Sequence, residues 1–297
     1  MLALSTKAPA LTPPDYPVQA GPLTVERLPS GCKGEVLAFL AARPIHTVIL
    51  AGMIRDNGLV SELNRGAFYA CRDSAGNLEG IALIGHVTMV ETNNEQALQL
   101  FAQLAQKHQH AHLILGEQEK AEQFWQFYRP AGQSMRLICR ELLLEQRWPV
   151  EVHDSVNLRR ATLAEIDQVT PVHAQMAFDE CGINPLETDP DGFRKRIARR
   201  IEQGRVWVWM DESRLIFKAD VVSDTPEAIY IEGVYLSPRD RGKGFGVRSM
   251  SQLACNLLPN TKSLCLLVNE QHQPAQECYY RAGYKLRSSY DTIYLQQ

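Results

Sequence analysis

Hydrophobic and polar positions along the chain alternate between two patterns. Apolar residues spaced by three or four predict helices, whereas short apolar or alternating runs predict strands. A proline-rich stretch over residues 1–22 shows neither pattern, and we interpret it as an extended leader. The first half then predicts helices at 34–42, 45–55, 95–108 and 120–129 and strands at 67–72, 79–86, 87–91, 112–117 and 136–145.

The same order of elements begins again after Pro149. A short echo, "QFWQFYRPAG" in the first half and "QECYYRAGY" in the second, supports a duplication. We therefore predict an α/β protein with mixed sheets, organised as two related domains in tandem, 23–149 and 150–297. The second half predicts helices at 163–178, 191–203, 245–258 and 274–282 and strands at 156–161, 205–210, 214–222, 228–236, 263–268 and 291–296.

Composition and charge narrow the functional class. The chain is 45% hydrophobic and 22% charged, which is typical of globular proteins. A net charge of −3 favours neither nucleic acid nor an anionic membrane as the main partner. Seven scattered cysteines form no C-x-x-C pair, and the chain has neither a signal-peptide pattern nor 18 successive apolar residues. We expect a cytoplasmic protein, and we leave its oligomeric state open, with a monomer as one possibility.

Three histidines alternate in "KHQHAH", at positions 108, 110 and 112. On a strand they would face one way, but no acidic residue or cysteine stands nearby in the sequence to complete a metal site. We therefore expect no metal cofactor.

A basic, glycine-rich turn, "SPRDRGKGFG" over 237–246, lies between the predicted strand 228–236 and the predicted helix 245–258. Glycines at a helix N-terminus let the backbone approach a ligand, and the free N–H groups and the helix dipole favour an anion. The spacing is not that of a nucleotide-hydrolysing P-loop, because no Ser or Thr follows Lys243. A phosphate site, a nucleotide site and a solvated loop all remain open from the turn alone.

Arg241-x-x-Gly244-x-Gly246 resembles the [Q/R]-x-x-G-x-[G/A] motif of the GNAT superfamily of N-acetyltransferases. Downstream, "LCLLVNEQHQPAQECYYRAGYK" is similar to the next strand and helix of that family, ending in its tyrosine-bearing signature at 279–284. The resemblance is strong over 228–287, extends back to 155, and is architectural in the first half. It implies that acetyl-CoA binds as co-substrate between two splayed parallel strands and that an amine of a small molecule or peptide accepts the acetyl group.

The resemblance also implies which residues bind acetyl-CoA. The pyrophosphate would lie on the backbone amides of 241–247, and the family often has Asn where this chain has His272. The implied cofactor-binding residues are Val234, Tyr235, Leu236, Arg241, Gly242, Lys243, Gly244, Phe245, Gly246, Val247, Asn269 and His272.

Four residues are candidates for the chemistry. Tyr279 matches the position that the family places near the thioester sulfur, which implies a general acid; the alternative is a core aromatic. Glu232 lies in an otherwise apolar strand, where a carboxylate is costly unless it is paired or acts as a base; the alternative is a structural pair with Lys218 or an arginine. Asp179 and Glu180 would receive a cationic acceptor; the alternative is a solvated loop at a helix end.

The first half offers no glycine run at the corresponding place, and Glu91 and Glu95 would repel a pyrophosphate there. Phe127 stands where the echo places Tyr279. We therefore predict that 23–149 is a degenerate GNAT-like domain without a cofactor cradle. The predicted function is transfer of an acetyl group from acetyl-CoA to an amine, and the alternative is a non-catalytic CoA-binding sensor or regulatory module.

Overall fold

The computed structural model of this protein describes residues 18–151 and 155–296. The described residues contain thirteen strands and nine α-helices. The strands are β1 (Val18–Ala20), β2 (Leu23–Arg27), β3 (Gly66–Arg72), β4 (Leu78–Gly85), β5 (Val87–Thr92), β6 (Leu113–Glu117), β7 (Met135–Gln146), β8 (Leu158–Arg160), β9 (Val206–Asp211), β10 (Arg214–Asp224), β11 (Ile229–Leu236), β12 (Leu264–Asn269) and β13 (Lys285–Leu295). The helices are α1 (Lys33–Leu40), α2 (Pro44–Asn57), α3 (Glu95–Ala105), α4 (Gln118–Tyr128), α5 (Ile166–Cys181), α6 (Pro185–Thr188), α7 (Pro190–Glu202), α8 (Phe245–Leu257) and α9 (Gln273–Arg281).

Each predicted helix and strand has a counterpart in the structure, with ends that differ by at most three residues, except that β13 begins six residues before its predicted start. The sequence patterns did not predict β1, β2 or the four-residue helix α6. Most of the predicted leader, residues 1–17, lies outside the described residues. Its last part is a strand, since β1 pairs antiparallel with β2.

The described chain divides into two compact units. The N-terminal unit contains residues 18–142 together with 288–296, and the C-terminal unit contains 143–151 and 155–287. The division therefore differs from the predicted ranges 23–149 and 150–297, above all because the end of the chain belongs with its beginning.

The N-terminal unit is a mixed sheet with the strand order β1-β2-β3-β4-β5-β6-β13-β7. Strand β5 runs parallel to β6, and β13 runs antiparallel to β6, with Tyr290 opposite Glu117 and Tyr294 opposite Leu113. Helix α3 buries one face against this sheet because its apolar residues recur at helical spacing. The core includes Phe101, Phe124 and Tyr128, which are at most 2% exposed.

The C-terminal unit has the strand order β7-β12-β11-β10-β9-β8, where β7 contributes its residues from Leu143 onward. Strands β11 and β12 are parallel, and the pairs β11/β10, β10/β9 and β9/β8 are antiparallel. Helices α5 and α7 contribute Val169, Phe193 and Ile197 to a core shared with Val206 and Val208 of β9. Helix α5 ends at Gly182, whose φ of +72° is the left-handed conformation that glycine adopts readily.

Candidate functional site

Strands β11 and β12 of the C-terminal unit separate after a short ladder. They pair at Ile229/Leu264 and Tyr230/Cys265. Beyond these pairs no strand pairing joins them in the described chain, although β11 continues to Leu236 and β12 to Asn269. We define the gap between their C-terminal ends as the wedge. Backbone groups that border it are available to a ligand, because no neighbouring strand occupies them.

A bulge interrupts β11 beside the wedge. Lys218 of β10 lies opposite Tyr235 and Asp220 lies opposite Glu232, so β11 has one residue more than β10 over this stretch. The extra residue is accommodated at Gly233, with a φ of +62°. A Cβ atom there would lie 2.7 Å from Oδ2 of Asp220 and 2.9 Å from Nζ of Lys218. Only glycine fits this position.

The predicted candidates on β11 border the wedge or lie next to it. Val234, Tyr235 and Leu236 form the end of the strand and are half-buried. Glu232, directly before the bulge, is also half-buried, and it lies opposite Asp220 in the register of β10 and β11. Glu232 therefore lies in an interior strand of the sheet, with β10 on one side and β12 on the other.

Helix α8 begins directly after the glycine-rich turn. Its N-cap is Gly244, in the left-handed conformation with a φ of +78°, and Gly242 has a φ of +76°. The first bond of the helix runs from the N–H of Arg248 to the carbonyl of Gly244, 3.2 Å away. The N–H groups of Phe245, Gly246 and Val247 have no partner within the helix, and no side chain caps them. We call residues 241–247 the cradle.

Charged side chains around the cradle are mostly basic. Arg241 and Lys243 are exposed, and Nε of Arg241 donates to the carbonyl of Leu236 at 3.3 Å. Asp240 is the acid next to them; Arg214 and Lys243 both bind its carboxylate and lower its pKa, Arg214 most. The basic side chains outnumber this acid, so the cradle favours an anion.

The cradle also packs against aromatic and sulfur-containing side chains. The ring of Phe245 lies 4.9 Å from that of Trp209, and the guanidinium of Arg248 lies 5.5 Å from the Phe245 centroid. A Cβ atom at Gly246 would be 3.0 Å from Sγ of Cys278 on α9. The glycine thus lets α8 and α9 approach each other closely.

Tyr279 follows Cys278 on α9 and is 7% exposed. Its ring makes an edge contact with the ring of Tyr284, with centroids 5.9 Å apart. Burial raises the pKa of Tyr279 well above its usual range and raises the pKa of Cys278 to about 11. Near neutral pH the Tyr279 hydroxyl therefore carries its proton, as a proton donor requires.

Asn269 is the last residue of β12 and His272 directly precedes α9, and both side chains make local hydrogen bonds. The amide oxygen of Asn269 accepts from the N–H of Gln271 at 2.8 Å. His272 is the N-cap of α9, and its Nδ1 accepts from the N–H of Ala275 at 3.2 Å. Their predicted contacts with the cofactor would have to compete with these bonds or use their remaining polar atoms.

Asp179 and Glu180 lie in the last turn of α5. The expectation that they occupy a loop is wrong, because the helix continues to Cys181. Asp179 is exposed and accepts a hydrogen bond from Gln175 at 2.8 Å, whereas Glu180 is half-buried.

A buried ionic cluster behind β11 is the main feature that the sequence did not predict. Lys218 and Asp220 of β10 are at most 1% exposed, and Nζ of Lys218 donates to Oδ2 of Asp220 at 2.7 Å and to the carbonyl of Gly233 at 2.9 Å. Asp220 also binds His173 of α5 at 3.1 Å, and Arg200 of α7 lies 3.9 Å from it. The sequence signal for this cluster is a lysine in the apolar run "LIFKADVV", which the sequence alone presents only as a partner for Glu232.

Burial and charge set the protonation of this cluster. Burial lowers the pKa of Lys218 and of His173, although Asp220 opposes the shift in both. Burial would raise the pKa of Asp220, but His173 and Lys218 outweigh it and hold that pKa well below its usual range. The carboxylate is therefore ionised in the folded protein, and the imidazole is neutral near pH 7.

The N-terminal unit has a similar short parallel ladder, but beyond it charged side chains bridge the two strands. Strands β5 and β6 pair at Val87/Leu113 and Thr88/Ile114. Arg43 then joins the two strands, donating to Glu91 of β5 at 3.0 Å and to Glu117 of β6 at 2.6 Å. We call this group, completed by Lys120 and His46, the clamp. The cavity beside it measures about 30 Å³, which is room for one or two water molecules.

The helix that follows β5 also differs from α8. Asn94 is the N-cap of α3, and its side-chain oxygen accepts from the N–H groups of Gln96 and Ala97 at 3.0 and 3.3 Å. Two of the amides that an anion would use are thus already bonded. Glu95, the first residue of α3, adds the negative charge that the sequence predicted at this helix start.

Burial places Tyr128, rather than Phe127, at the position that corresponds to Tyr279. Tyr128 is 1% exposed and lies four residues before Gly132, as Tyr279 lies four residues before Gly283. Its hydroxyl accepts from the N–H of Gln133 at 3.2 Å, so it serves the turn after α4.

Among the described residues, no group of three or more His, Cys, Asp or Glu side chains is arranged to hold a metal ion. His108 and His110 lie in a turn before β6, so the alternate histidines do not share the face of a strand. In the same part of the chain, no helix is both long enough and apolar enough to cross a membrane.

No family model matches the sequence, and no curated protein matches it. Several solved structures, however, are similar to this chain. A Drosophila protein aligns with 92% of this chain and 98% of its own at a TM-score of 0.63 and 11% identity. A GCN5-related N-acetyltransferase from Sphaerobacter thermophilus covers 93% of this chain and 96% of its own, with a TM-score of 0.56 and 11% identity.

A tandem GNAT protein from the clavulanic acid biosynthesis pathway is similar over 93% of this chain and 99% of its own, with a TM-score of 0.54 and 14% identity. The predicted fold class is confirmed by these structures: the chain has the GNAT acetyltransferase fold, as two GNAT-like units, each with a mixed sheet flanked by helices.

Proposed function

We propose that this chain of GNAT fold is an acyltransferase that moves an acetyl group from acetyl-CoA to an amine. The observation that carries the proposal is the start of α8. Its first N–H groups are uncapped, its N-cap glycine has a positive φ, and basic side chains surround it at the end of β11. A pyrophosphate fits that set of donors, because each of its oxygens accepts hydrogen bonds and its charge suits the helix dipole.

The remaining cofactor contacts follow from the wedge. The carbonyl of Val234 and the backbone groups of Tyr235 and Leu236 at the end of β11 would bind the amide groups of the pantetheine arm as a neighbouring strand would, which leaves the N–H of Val234 for the acetyl carbonyl. Asn269 and His272 border the same gap from the end of β12. The thioester supplies an acetyl group that is activated toward attack by an amine.

In the proposed reaction the amine attacks the thioester carbonyl, the carbon–sulfur bond breaks, and CoA leaves as a thiol. The N–H of Val234 stabilises the negative charge that develops on the carbonyl oxygen. Tyr279 donates the proton that the departing sulfur needs, and the nitrogen, which loses its second proton as the amide forms, restores it through the solvent; the raised pKa of Tyr279 keeps it protonated before each cycle. Glu232 accepts the proton that the ammonium form of the acceptor must lose, directly or through a water.

The acceptor would approach past the end of α5. Asp179 is exposed there and the half-buried Glu180 follows it, so their negative charges would attract a cationic amine. We propose no cofactor site for the N-terminal unit, because the clamp occupies its parallel pair and Asn94 caps α3.

Calorimetric titration of the full chain with CoA tests the binding step. We expect one site per chain and much weaker binding of ATP at the same concentration. Two equal sites per chain would contradict the role given to the clamp. Stronger binding of ATP than of CoA would make the cradle a nucleotide site.

An acceptor screen tests the chemistry. The purified chain is incubated with acetyl-CoA and amines that range from amino acids and polyamines to lysine peptides. Free CoA is measured by chromatography, because the partly exposed cysteines of the chain would react with a thiol reagent. We expect amine-dependent release of CoA with matching acetylation of one amine class. Tight binding of CoA without release for any amine would favour a CoA sensor instead.

A further inference from the structure

Lys218 is a lysine without contact to solvent, in the strand next to the bulge. Its side chain is 0% exposed, and its ammonium bridges two groups: the carboxylate of Asp220 at 2.7 Å and the backbone carbonyl of Gly233 at 2.9 Å. Burial of a charged ammonium is unfavourable unless its hydrogen bonds replace those of water. A hydrophobic residue would fill this position at lower cost if packing were all that was required.

The carbonyl that Lys218 binds belongs to the peptide unit of Gly233 and Val234. The described chain contains no cis peptide bond, so the carbonyl of Gly233 and the N–H of Val234 point in opposite directions. Lys218 approaches from β10, on one side of β11, and β12 lies on the other. The N–H of Val234 is therefore directed away from the Lys218 ammonium.

A cation on the carbonyl strengthens the N–H of the same peptide unit. A charge-assisted bond polarises the peptide group, and an N–H in a polarised group is a better donor. The bond also fixes the bulge, where the ladder between β10 and β11 is interrupted and would otherwise hold the backbone less firmly.

The surrounding charges keep this arrangement in place. Oδ2 of Asp220 accepts from Lys218, Nε2 of His173 lies 3.1 Å from this oxygen, and Arg200 lies 3.9 Å from it. Glu232, across from Asp220 on β11, interacts electrostatically with Lys218 as well. Each of these groups comes from a different element: α5, α7, β10 and β11.

We propose that Lys218 is a positioning residue for acetyl transfer: through the carbonyl of Gly233 it orients and polarises the Val234 N–H that receives the thioester carbonyl. Asp220 and His173 hold the ammonium in that position. The inference rests on the proposed function, because the N–H of Val234 has this role only if a thioester binds in the wedge.

The test compares Lys218→Met with the double variant Lys218→Met/Asp220→Asn, which also removes the carboxylate that the single variant would leave without its ammonium partner. Lys195→Met is the matched control, since Lys195 is an exposed lysine of α7. Three quantities are measured on the full chain: kcat, the Kd for CoA, and the infrared carbonyl stretch of bound acetyl-CoA labelled with ¹³C at the carbonyl.

CoA lacks the acetyl carbonyl, so its Kd reports the cradle and not the Val234 N–H. We expect both variants to bind CoA within about twofold of the wild type and to lose about 10- to 100-fold in kcat. The loss should be smaller than for complete removal of an oxyanion donor, because the Val234 N–H remains and is only weakened. The carbonyl stretch should move to lower frequency on binding to the wild type and to Lys195→Met, and less in the two Lys218 variants.

An unchanged stretch and kcat in the folded double variant would overturn the inference. So would a parallel loss of kcat and of CoA affinity, because Lys218 would then support the fold alone. If the wild type neither binds CoA nor shifts the stretch, the proposed function itself is wrong and the inference falls with it. Normal wild-type activity with unaffected variants contradicts only the role of Lys218.

Discussion

Replacing Gly244 with aspartate separates the stability of the cradle from its affinity for phosphate. Gly244 is the N-cap of α8 at a φ of +78°, and a Cβ atom there would meet only Nε of Arg248, at 4.0 Å. The space is open, so the cost in the free protein is the strain of a left-handed residue, about 1–2 kcal/mol. A carboxylate near the helix N-terminus recovers about 0.3–1 kcal/mol of it. The free energy of unfolding should therefore fall by no more than about 2 kcal/mol.

The affinity for CoA should change far more than the free energy of unfolding. An added carboxylate about 4 Å from a phosphate charge is repelled by about 4 kcal/mol at an effective dielectric constant of about 20. Affinity for CoA should then fall about a thousandfold. Gly244→Asn is the matched control, since asparagine has the same size, tolerates a positive φ and carries no charge.

Calorimetry with CoA measures the affinities, and urea unfolding measures the stabilities. We expect Gly244→Asn to bind CoA within about tenfold of the wild type and Gly244→Asp to bind it at least a hundredfold more weakly than Gly244→Asn. Equal affinities for the two variants would show that no phosphate lies at the start of α8, and the reasoning about the cradle would be refuted.

Four further predictions concern single side chains of the C-terminal unit. Arg241→Ala should weaken CoA binding by about 1.5–3 kcal/mol, the value of a charge-assisted hydrogen bond; calorimetry at two salt concentrations measures it, and an unchanged Kd would exclude contact with phosphate. Tyr279→Phe should lower kcat about 10²- to 10⁴-fold at unchanged CoA affinity, whereas Tyr280→Phe, next to it and exposed, should retain activity; equal rates would remove Tyr279 from the mechanism. Glu232→Gln should lower kcat about 10²- to 10⁴-fold at unchanged CoA affinity, because an amide cannot accept the proton of the ammonium; an unchanged kcat would assign the deprotonation to another group, with Glu180 next to be replaced. Burial lowers the pKa of His173. The contribution of His173 to stability is therefore complete above about pH 6.5 and is lost as the pH falls below that value. Urea unfolding at pH 7 and pH 5 should show this loss, and an equal loss in His173→Gln would contradict the assignment to His173.

The order of helices and strands could be predicted from the sequence because it depends on local spacing of apolar residues. The cradle could be predicted for the same reason: its glycines, its basic residues and the strand before it are neighbours in the chain. The end of α5 was predicted too early, at 178, although Gly182 marks it.

The clamp and the buried cluster could not be predicted, because their partners are far apart in the sequence. Arg43 binds Glu91 and Glu117, 48 and 74 residues away. Lys218 is separated from the carbonyl of Gly233 by 15 residues and a change of strand. Periodicity shows which face a residue occupies but not which residue of another element lies opposite it.

The position of β13 has a consequence for how the protein is made. Residues 288–295 complete the sheet of the N-terminal unit, next to β6, yet a ribosome adds them only after residues 143–287. At about 5–20 residues per second, the nascent chain presents β6 with an unpaired edge for on the order of ten seconds after residue 142 has been added. An exposed strand edge is a site of mispairing with other chains. The N-terminal unit is thus completed only after the residues of the C-terminal unit have been added.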